Sequence, residues 1–183
     1  MNEFYLVQGA NAEVIQDIDG WNNRVRDYLR DFFDGDIERV RGTRFGDNIA
    51  KITYMTERAV MEPNTWRGVR DVHSRLQAGA IVEEEIDFLF LDALASAPWN
   101  VLGNQPETIK GAGTTLMEEL VKESKALGNE GRIRLYPLQR SLQFYTDIGF
   151  VETGSGDWEL TEEAASRFLE EQRQFWETGH RAT

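Results

Sequence analysis

The chain has 183 residues, no cysteine, and 32 acidic against 20 basic side chains, which gives a net charge of −12. The absence of cysteine excludes disulfides, thiolate zinc sites and a cysteine nucleophile. A nucleic-acid-binding protein normally presents a basic surface. We therefore expect no nucleic-acid partner, whereas a cationic partner such as an amine is compatible with this charge.

The length and the 40% hydrophobic content are sufficient for one substantial core. Since no repeat or low-complexity linker divides the chain, we expect a single domain over residues 1–183. No apolar run approaches the roughly 18 residues of a membrane span, and the first residues lack the features of a secretory signal. These patterns predict a cytoplasmic protein without a membrane partner. His73 and His180 are isolated, so we expect no metal site.

Hydrophobic periodicity predicts several elements in the N-terminal half. Apolar residues from Trp21 to Phe33 recur at helical spacing, and a turn follows at residues 34–36. We predict strands at Ile37–Val40 and Ile49–Met55. A further helix is predicted over Thr65–Gly79, because apolar residues recur there at helical spacing.

The C-terminal half predicts an alternation of strands and helices. The expected order is an apolar strand over Phe88–Ala95, a turn-rich segment, a helix up to Gly128, a strand at residues 131–137, a helix over Leu138–Asp147 and a strand from Gly149. A last helix begins after Thr161, which can cap it, and reaches Trp176. Its apolar stripe either covers the chain's own core or contacts a second subunit.

Two glycines precede the helix that ends at Gly128. A helix start leaves backbone N–H groups without partners and carries partial positive charge, so it can bind a phosphate. Gly111 and Gly113 allow the backbone to come close to such an anion. Their spacing is neither that of a Walker loop nor that of a dinucleotide-binding loop. Alone, the motif is also compatible with a plain tight turn.

A second motif makes the first more specific. Residues 108–113 are Thr-Ile-Lys-Gly-Ala-Gly, and residues 145–150, at the end of a later helix, are Tyr-Thr-Asp-Ile-Gly-Phe. They resemble a pair of motifs in the GNAT superfamily of N-acetyltransferases. The first motif there is Gln or Arg, two variable residues, Gly, one variable residue and Gly or Ala before a long helix, and the second is a helix ending in Tyr-x-x-x-Gly-Phe. The chain thus resembles this superfamily over about residues 86–160.

The resemblance implies an α/β fold with a central mixed, mostly antiparallel sheet flanked by helices. In this fold the two central strands separate to accept acyl-coenzyme A. It implies an acceptor side within residues 1–85, a coenzyme-binding core within 86–160 and a C-terminal helix within 161–177. The implied activity is transfer of an acetyl or other acyl group from coenzyme A to a primary amine of a small molecule or peptide, without a metal.

The resemblance also implies roles for individual residues. The coenzyme would be bound by the residues of the glycine turn and by the strand before it, namely Lys110, Gly111, Ala112, Gly113, Thr114, Thr115, Ala93 and Leu94. Tyr145 would protonate the departing thiolate. As the base that removes the amine proton we favour Asp92 over Glu85 and Asp87. Lys110 is the expected phosphate-binding cation, with Arg132, Arg134 or Arg140 nearby.

Three features depart from the superfamily pattern. Thr108 replaces the usual Gln or Arg, and Leu138 replaces a frequent Asn. The connection over residues 96–107 is unusually long and contains Ala-Pro-Trp-Asn at 97–100, a segment that recurs in an atypical branch of the superfamily. Trp99 and Asn100 could line the substrate pocket together with Glu85. Equally, a buried Trp99 could simply pin the loop.

Two other functions remain open from the sequence. The chain could be a non-catalytic GNAT-like protein that binds coenzyme A or a protein partner as a sensor or interaction module. It could also be an interaction protein without a nucleotide ligand, with the glycine motif as an ordinary turn. The sequence leaves the oligomeric state open between a monomer and a homodimer.

Overall fold

The structure is a computed structural model that describes residues 3–179. Within this range the chain forms seven strands and five α-helices, joined by loops and short 3₁₀ turns. Their bounds are β1 Phe4–Gln8, α1 Ala12–Phe33, α2 Arg44–Met61, β2 Trp66–Asp71, β3 Leu76–Glu84, β4 Leu89–Ser96, α3 Ala112–Ala126, β5 Ile133–Leu135, α4 Leu142–Ile148, β6 Val151–Glu152, β7 Trp158–Leu160 and α5 Glu162–Thr178.

The strands form one mixed, mostly antiparallel sheet in the order β1-β2-β3-β4-β5-β7-β6. The parallel pair is β4 and β5, with Leu89 opposite Ile133 and Phe90 opposite Arg134. β4 continues to Ser96, so only its first two residues pair with β5. This architecture confirms the expected fold class.

The chain forms two compact units, and β3, β4 and α3 each contribute to both. One unit, the N-terminal unit, contains the described chain up to Ile81 together with Ala93–Leu116. The other, the C-terminal unit, contains Val82–Asp92 and the described chain from Met117 onward. A single domain over residues 1–183, with parts divided at residues 85 and 160, stays a prediction.

The N-terminal unit is built on the amphipathic helices α1 and α2. Asn11 caps α1 by accepting from the Val14 amide at 2.9 Å, and the helix ends at Asp34, whose φ is +52°. Thr43 caps α2 in the same way. The apolar faces of both helices lie in one core, which includes the buried residues Val14, Ile18, Trp21, Val25, Tyr28, Phe45, Ile49, Ile52, Met55 and Ala59.

Two strand predictions in this unit were wrong. Ile37–Val40 forms a 3₁₀ turn capped by Asp36, and Ile49–Met55 lies inside α2. The short window at Ile49–Met55 is rich in β-branched residues, but the buried positions of α2 are spaced three or four residues apart from Phe45 to Ala59, which is the helical period.

The helix predicted over Thr65–Gly79 was also wrong, because this segment forms β2, a tight turn and the start of β3. The Asp71 side chain stabilises the turn by accepting from the backbone amides of His73 and Arg75 at 2.8 and 3.0 Å. Tertiary packing then favours the hairpin, since the Trp66 ring lies fully buried over the open face of Gly79.

In the C-terminal unit, α5 begins as predicted after Thr161, which accepts from the Ala164 amide at 3.3 Å. Ala165, Phe168 and Gln172 are buried, and the Trp176 indole donates to Glu118 on α3 at 3.1 Å. The apolar stripe of α5 therefore packs within the chain's own unit. No helix among residues 3–179 combines the length and hydrophobicity of a membrane span.

We predict opposite effects for alanine at two glycines. A Cβ at Gly79 would lie 2.3 Å from the Trp66 ring, so Gly79→Ala should destabilise the protein by about 1–3 kcal/mol through overpacking. A Cβ at Gly20, inside α1, has no neighbour within 4 Å, so Gly20→Ala should stabilise by about 0.5–1 kcal/mol. Urea denaturation measures both free energies of unfolding, and an equal effect of the two changes would contradict this packing.

Candidate functional site

The glycine motif lies at the start of a long helix, as predicted. Gly111 has a φ of +99°, a conformation that side-chain-bearing residues rarely adopt, and its carbonyl accepts from the Thr115 amide at 2.9 Å. Gly113 belongs to the first turn of α3, which contains no acidic residue. Lys110 is exposed, and Gly111, Gly113 and Thr114 are partly exposed. This helix start is thus accessible and free of local negative charge from its first turn.

The end of β4 is fixed by a side chain from α2. The Asn48 amide donates to the Ser96 carbonyl at 2.9 Å and accepts from the Ser96 amide at 3.2 Å. Of the predicted coenzyme-binding residues on this strand, Ala93 is half-buried and Leu94 is buried. Asn48 therefore bonds to both backbone groups of Ser96, the last residue of β4.

Hydrogen bonds hold the long loop between β4 and α3. The Gln77 side-chain carbonyl accepts from the Trp99 indole at 3.0 Å and from the Asn100 side-chain amide at 2.9 Å. The Asn100 side-chain carbonyl accepts from the Ile109 backbone amide at 2.8 Å. The Thr108 hydroxyl donates to the Trp99 carbonyl at 2.7 Å. These bonds join the two ends of the loop to each other and to β3.

The polar groups of Trp99 and Asn100 that we considered for binding a substrate thus form hydrogen bonds inside the protein. The Trp99 indole N–H is taken by Gln77, and the Trp99 side chain packs against the core of the N-terminal unit. Both the donor and the acceptor of the Asn100 amide are engaged inside the protein. Of the two interpretations left open by the sequence, these contacts favour a loop pinned by a packed tryptophan.

A second contact holds the loop against α1. Arg24 forms an ion pair with Glu107 at 3.0 Å, and its guanidinium lies 5.8 Å from the Tyr28 ring centroid and 5.9 Å from that of Trp99. Burial raises the pKa of the Tyr28 phenol, while Arg24 lowers this pKa and Glu107 raises it by smaller amounts. Arg24 is a link between α1 and the segment that leads to the glycine turn.

Tyr145 lies in the C-terminal unit, on α4, and is buried. Its ring packs edge-on against Phe144 and Phe150, with centroids 5.1 and 5.4 Å away. Burial raises its pKa far above the ordinary value of a phenol. Within residues 3–179, no protein group forms a hydrogen bond with its hydroxyl. Tyr145 is therefore a neutral donor throughout the physiological pH range, but a weaker acid than a free tyrosine.

The remaining predicted residues lie elsewhere in the C-terminal unit. Asp92 is half-buried on β4, and Glu85 is exposed in the β3–β4 turn. Arg132 pairs with Glu159 at 2.6 Å, and Arg134 lies over the Phe88 ring with its guanidinium 4.6 Å from the centroid. These two arginines have protein partners that compete with any phosphate.

A groove of about 790 Å³ lies between α1 and α2, but none of the predicted site residues lines it. Its lining residues include Asp19, Arg26 and Glu57. Among the described residues no cluster of three or more potential metal ligands is found. His180 lies outside the described residues.

Comparison with solved structures identifies the architecture. An acetyltransferase of the GNAT family from Listeria monocytogenes is 12% identical with a TM-score of 0.52, over 85% of this chain and 92% of that one. A GNAT-family protein from Desulfovibrio desulfuricans is 12% identical with a TM-score of 0.52, over 86% and 95% of the two chains. The PaiA N-acetyltransferase of Thermoplasma acidophilum, in complex with coenzyme A, is 16% identical with a TM-score of 0.50, over 86% and 96%.

The chain has the GNAT fold. At these identities the likeness establishes the fold and leaves substrate and catalysis to other evidence. No protein-family model and no curated protein matches the sequence.

Three buried polar residues that the sequence did not single out are Asn48, Asp71 and Gln77. Asp71 and Gln77 lie in the segment that we wrongly predicted to be a helix. The signal that could have found the strands is the run of small and apolar residues from Leu76 to Val82, with glycine inside it.

We predict that Tyr145 ionises only at strongly alkaline pH. Because its folded pKa is raised, its contribution to stability is complete below about pH 10, the unfolded value, and is lost as the pH rises above it. The phenolate absorbance of wild type and Tyr145→Phe should therefore differ only above that pH. If the folded wild type showed one phenolate more than the variant near pH 10, the burial of Tyr145 would be contradicted. The absorbance of Tyr28 does not affect the difference, because both proteins contain it.

Proposed function

We propose that the protein is an acyl-coenzyme A dependent N-acyltransferase that acts on a primary amine. The observation that carries this proposal is the start of α3 on a GNAT fold, where Gly111 at φ +99° presents a helix terminus without acidic residues in its first turn. Backbone amides at such a terminus bind a pyrophosphate through local geometry, even though the chain is acidic overall. The likeness to a fold whose Thermoplasma acidophilum member was solved with coenzyme A supports the choice of ligand.

The proposed coenzyme site uses the residues named from the sequence. The amides from Lys110 to Thr115 would bind the pyrophosphate, with the Lys110 ammonium as the local cation. The pantetheine amides would pair with the backbone of β4 near Ala93 and Leu94, since β4 extends beyond its pairing with β5. An extended ligand that carries amides can add to a strand edge through main-chain hydrogen bonds.

The proposed reaction is direct transfer. The amine nitrogen attacks the thioester carbonyl, a C–N bond forms and the C–S bond breaks, while a base removes the amine proton. We assign Asp92 as the base, ahead of Glu85 and Asp87, because β4 carries it towards the proposed acyl end. Tyr145 would donate a proton to the departing sulfur. Solvent or the protonated base would then reprotonate the Tyr145 phenolate.

A second function is favoured by one observation. The raised pKa of Tyr145 makes full proton transfer to a thiolate less favourable than it is from an exposed phenol. A GNAT-fold protein that binds coenzyme A or a protein partner without turnover, as a sensor or interaction module, accommodates this property. In the enzyme, by contrast, Tyr145 would hydrogen-bond to the developing thiolate and transfer its proton as the C–S bond breaks.

We predict that coenzyme A stabilises the protein and that Gly111→Ala weakens this effect. Binding to the folded state raises the midpoint of thermal unfolding by mass action. A Cβ at φ +99° costs about 1–2 kcal/mol and displaces the amides, so the affinity should fall about tenfold. Gly103→Ala is the matched control, because Gly103 lies in the same loop at φ +83° with no neighbour near a Cβ. Equal losses for both variants, or no wild-type shift at millimolar coenzyme A, would contradict the site.

We predict turnover of acetyl-coenzyme A with amines. Mass spectrometry of a reaction with pooled amines should show an acetylated amine and an equal amount of free coenzyme A. Tyr145→Phe should lower kcat by about 10²-fold or more while the affinity for coenzyme A is retained. Full activity of Tyr145→Phe would remove Tyr145 from the mechanism, and binding without any acetylated product would favour the non-catalytic function.

A further inference from the structure

A directed chain of hydrogen bonds runs through the N-terminal unit and ends beside the glycine turn. It starts at the carboxylate of Asp71, which is 3% exposed and has a lowered pKa, because four hydrogen bonds together outweigh the cost of burial. Asp71 accepts from the backbone amides of His73 and Arg75, from the Arg75 guanidinium at 3.0 Å and from the Gln77 side-chain amide at 2.9 Å.

The ionised carboxylate fixes the direction of every later bond. A carboxylate only accepts, so the Gln77 NH₂ group must face Asp71 and the Gln77 side-chain carbonyl must face the other way. That carbonyl accepts from the Trp99 indole and the Asn100 NH₂ group. The Asn100 side-chain carbonyl is left to accept from the Ile109 amide at 2.8 Å. Gln77 is fully buried, so its side-chain amide depends on these protein partners.

The chain of hydrogen bonds ends at the Ile109 amide, two residues before Gly111. Fixing the Ile109 amide limits the backbone of Lys110, and Lys110 leads directly into Gly111, which has a positive φ. The Thr108 hydroxyl bond to the Trp99 carbonyl and the Arg24–Glu107 ion pair restrain the same segment from two further directions. A loop of this length would otherwise hold the turn weakly.

We infer that Gln77 and Asn100 are positioning residues for the glycine turn, and that they set its affinity for the diphosphate of coenzyme A by holding the Ile109 amide. This inference rests on the proposed function for the identity of the ligand. It assigns the Ala-Pro-Trp-Asn loop to preorganisation of the coenzyme site, since amides that are already aligned need no ordering when the anion binds.

Two measurements on Asn100→Ala test the inference. Amide hydrogen exchange of the ligand-free protein should become faster at residues 109–113, and the dissociation constant for coenzyme A should rise about tenfold. In turnover, KM for acetyl-coenzyme A should rise while KM for the amine is retained. Gln105→Ala is the matched control, because Gln105 lies in the same loop and its side chain bonds locally, to the Gly103 carbonyl.

Variants of Gln77 separate positioning from general stability. In Gln77→Glu the introduced carboxyl faces the Asp71 carboxylate and the Arg75 guanidinium, and burial together with Asp71 raises its pKa. Once protonated, it has one donor for Asp71 and one acceptor for Trp99 and Asn100, as the glutamine has. Its affinity for coenzyme A should therefore recover about tenfold between pH 8 and pH 5.5, relative to wild type and to Gln77→Leu, which cannot recover.

The outcomes distinguish this inference from the proposed function. If wild type does not bind coenzyme A, the proposed function fails, and the exchange rates at residues 109–113 still decide whether the chain of bonds holds the turn. If wild type binds and Asn100→Ala binds equally well with unchanged exchange, the inference is wrong. Should Asn100→Ala not fold, Thr108→Val removes one exposed hydroxyl bond in the same segment and should give a smaller effect in the same direction.

Discussion

The side-chain amide of Gln77 is the contact on which the loop before the glycine turn depends. It lies without exposure to solvent between the Asp71 carboxylate and two donors from the loop, the Trp99 indole and the Asn100 amide. A buried amide left without partners is costly, so each of these groups constrains the others. The backbone of β3 adds to this, because the Gln77 carbonyl accepts from the Ala97 amide at 2.9 Å. A loop of unusual length is thereby held at its start and at its end.

An acidic protein can bind an anion if the binding groups are in direct contact with it. Bulk charge acts over about 8 Å at physiological salt, whereas a helix terminus acts through amides in direct contact with the anion. The first turn of α3 carries no acidic residue, and Lys110 precedes it. Arg132 is committed to Glu159 and Arg134 to the Phe88 ring. The proposed site therefore depends on the geometry of the turn more than on a cluster of cations, which explains why its preorganisation matters.

Several features followed from residues that are close together in the sequence. The capped helix α5, the strand before the long loop, the glycine turn and the Tyr-bearing helix were predicted near their observed positions, because caps, glycines and helical periodicity act locally. Of α1 only the part from Trp21 to Phe33 was predicted, although the helix begins at Ala12. The errors lay where the local signal was ambiguous. Ile49–Met55 is β-branched yet belongs to a longer helical pattern, and Trp66 to Leu76 has helical spacing yet forms a hairpin.

The sequence by itself determined the two motifs, the order of elements from β4 to β6 and an acidic chain without thiol chemistry. Only the tertiary structure decided that Trp66 packs over Gly79 in a hairpin, that Asn48 closes the end of β4 and that Asn100 serves the loop. Each of these depends on partners between 9 and 48 residues away in the chain. The physical reason is that a polar side chain buried by folding must find its hydrogen bonds wherever the fold brings a partner, and no local pattern records that choice.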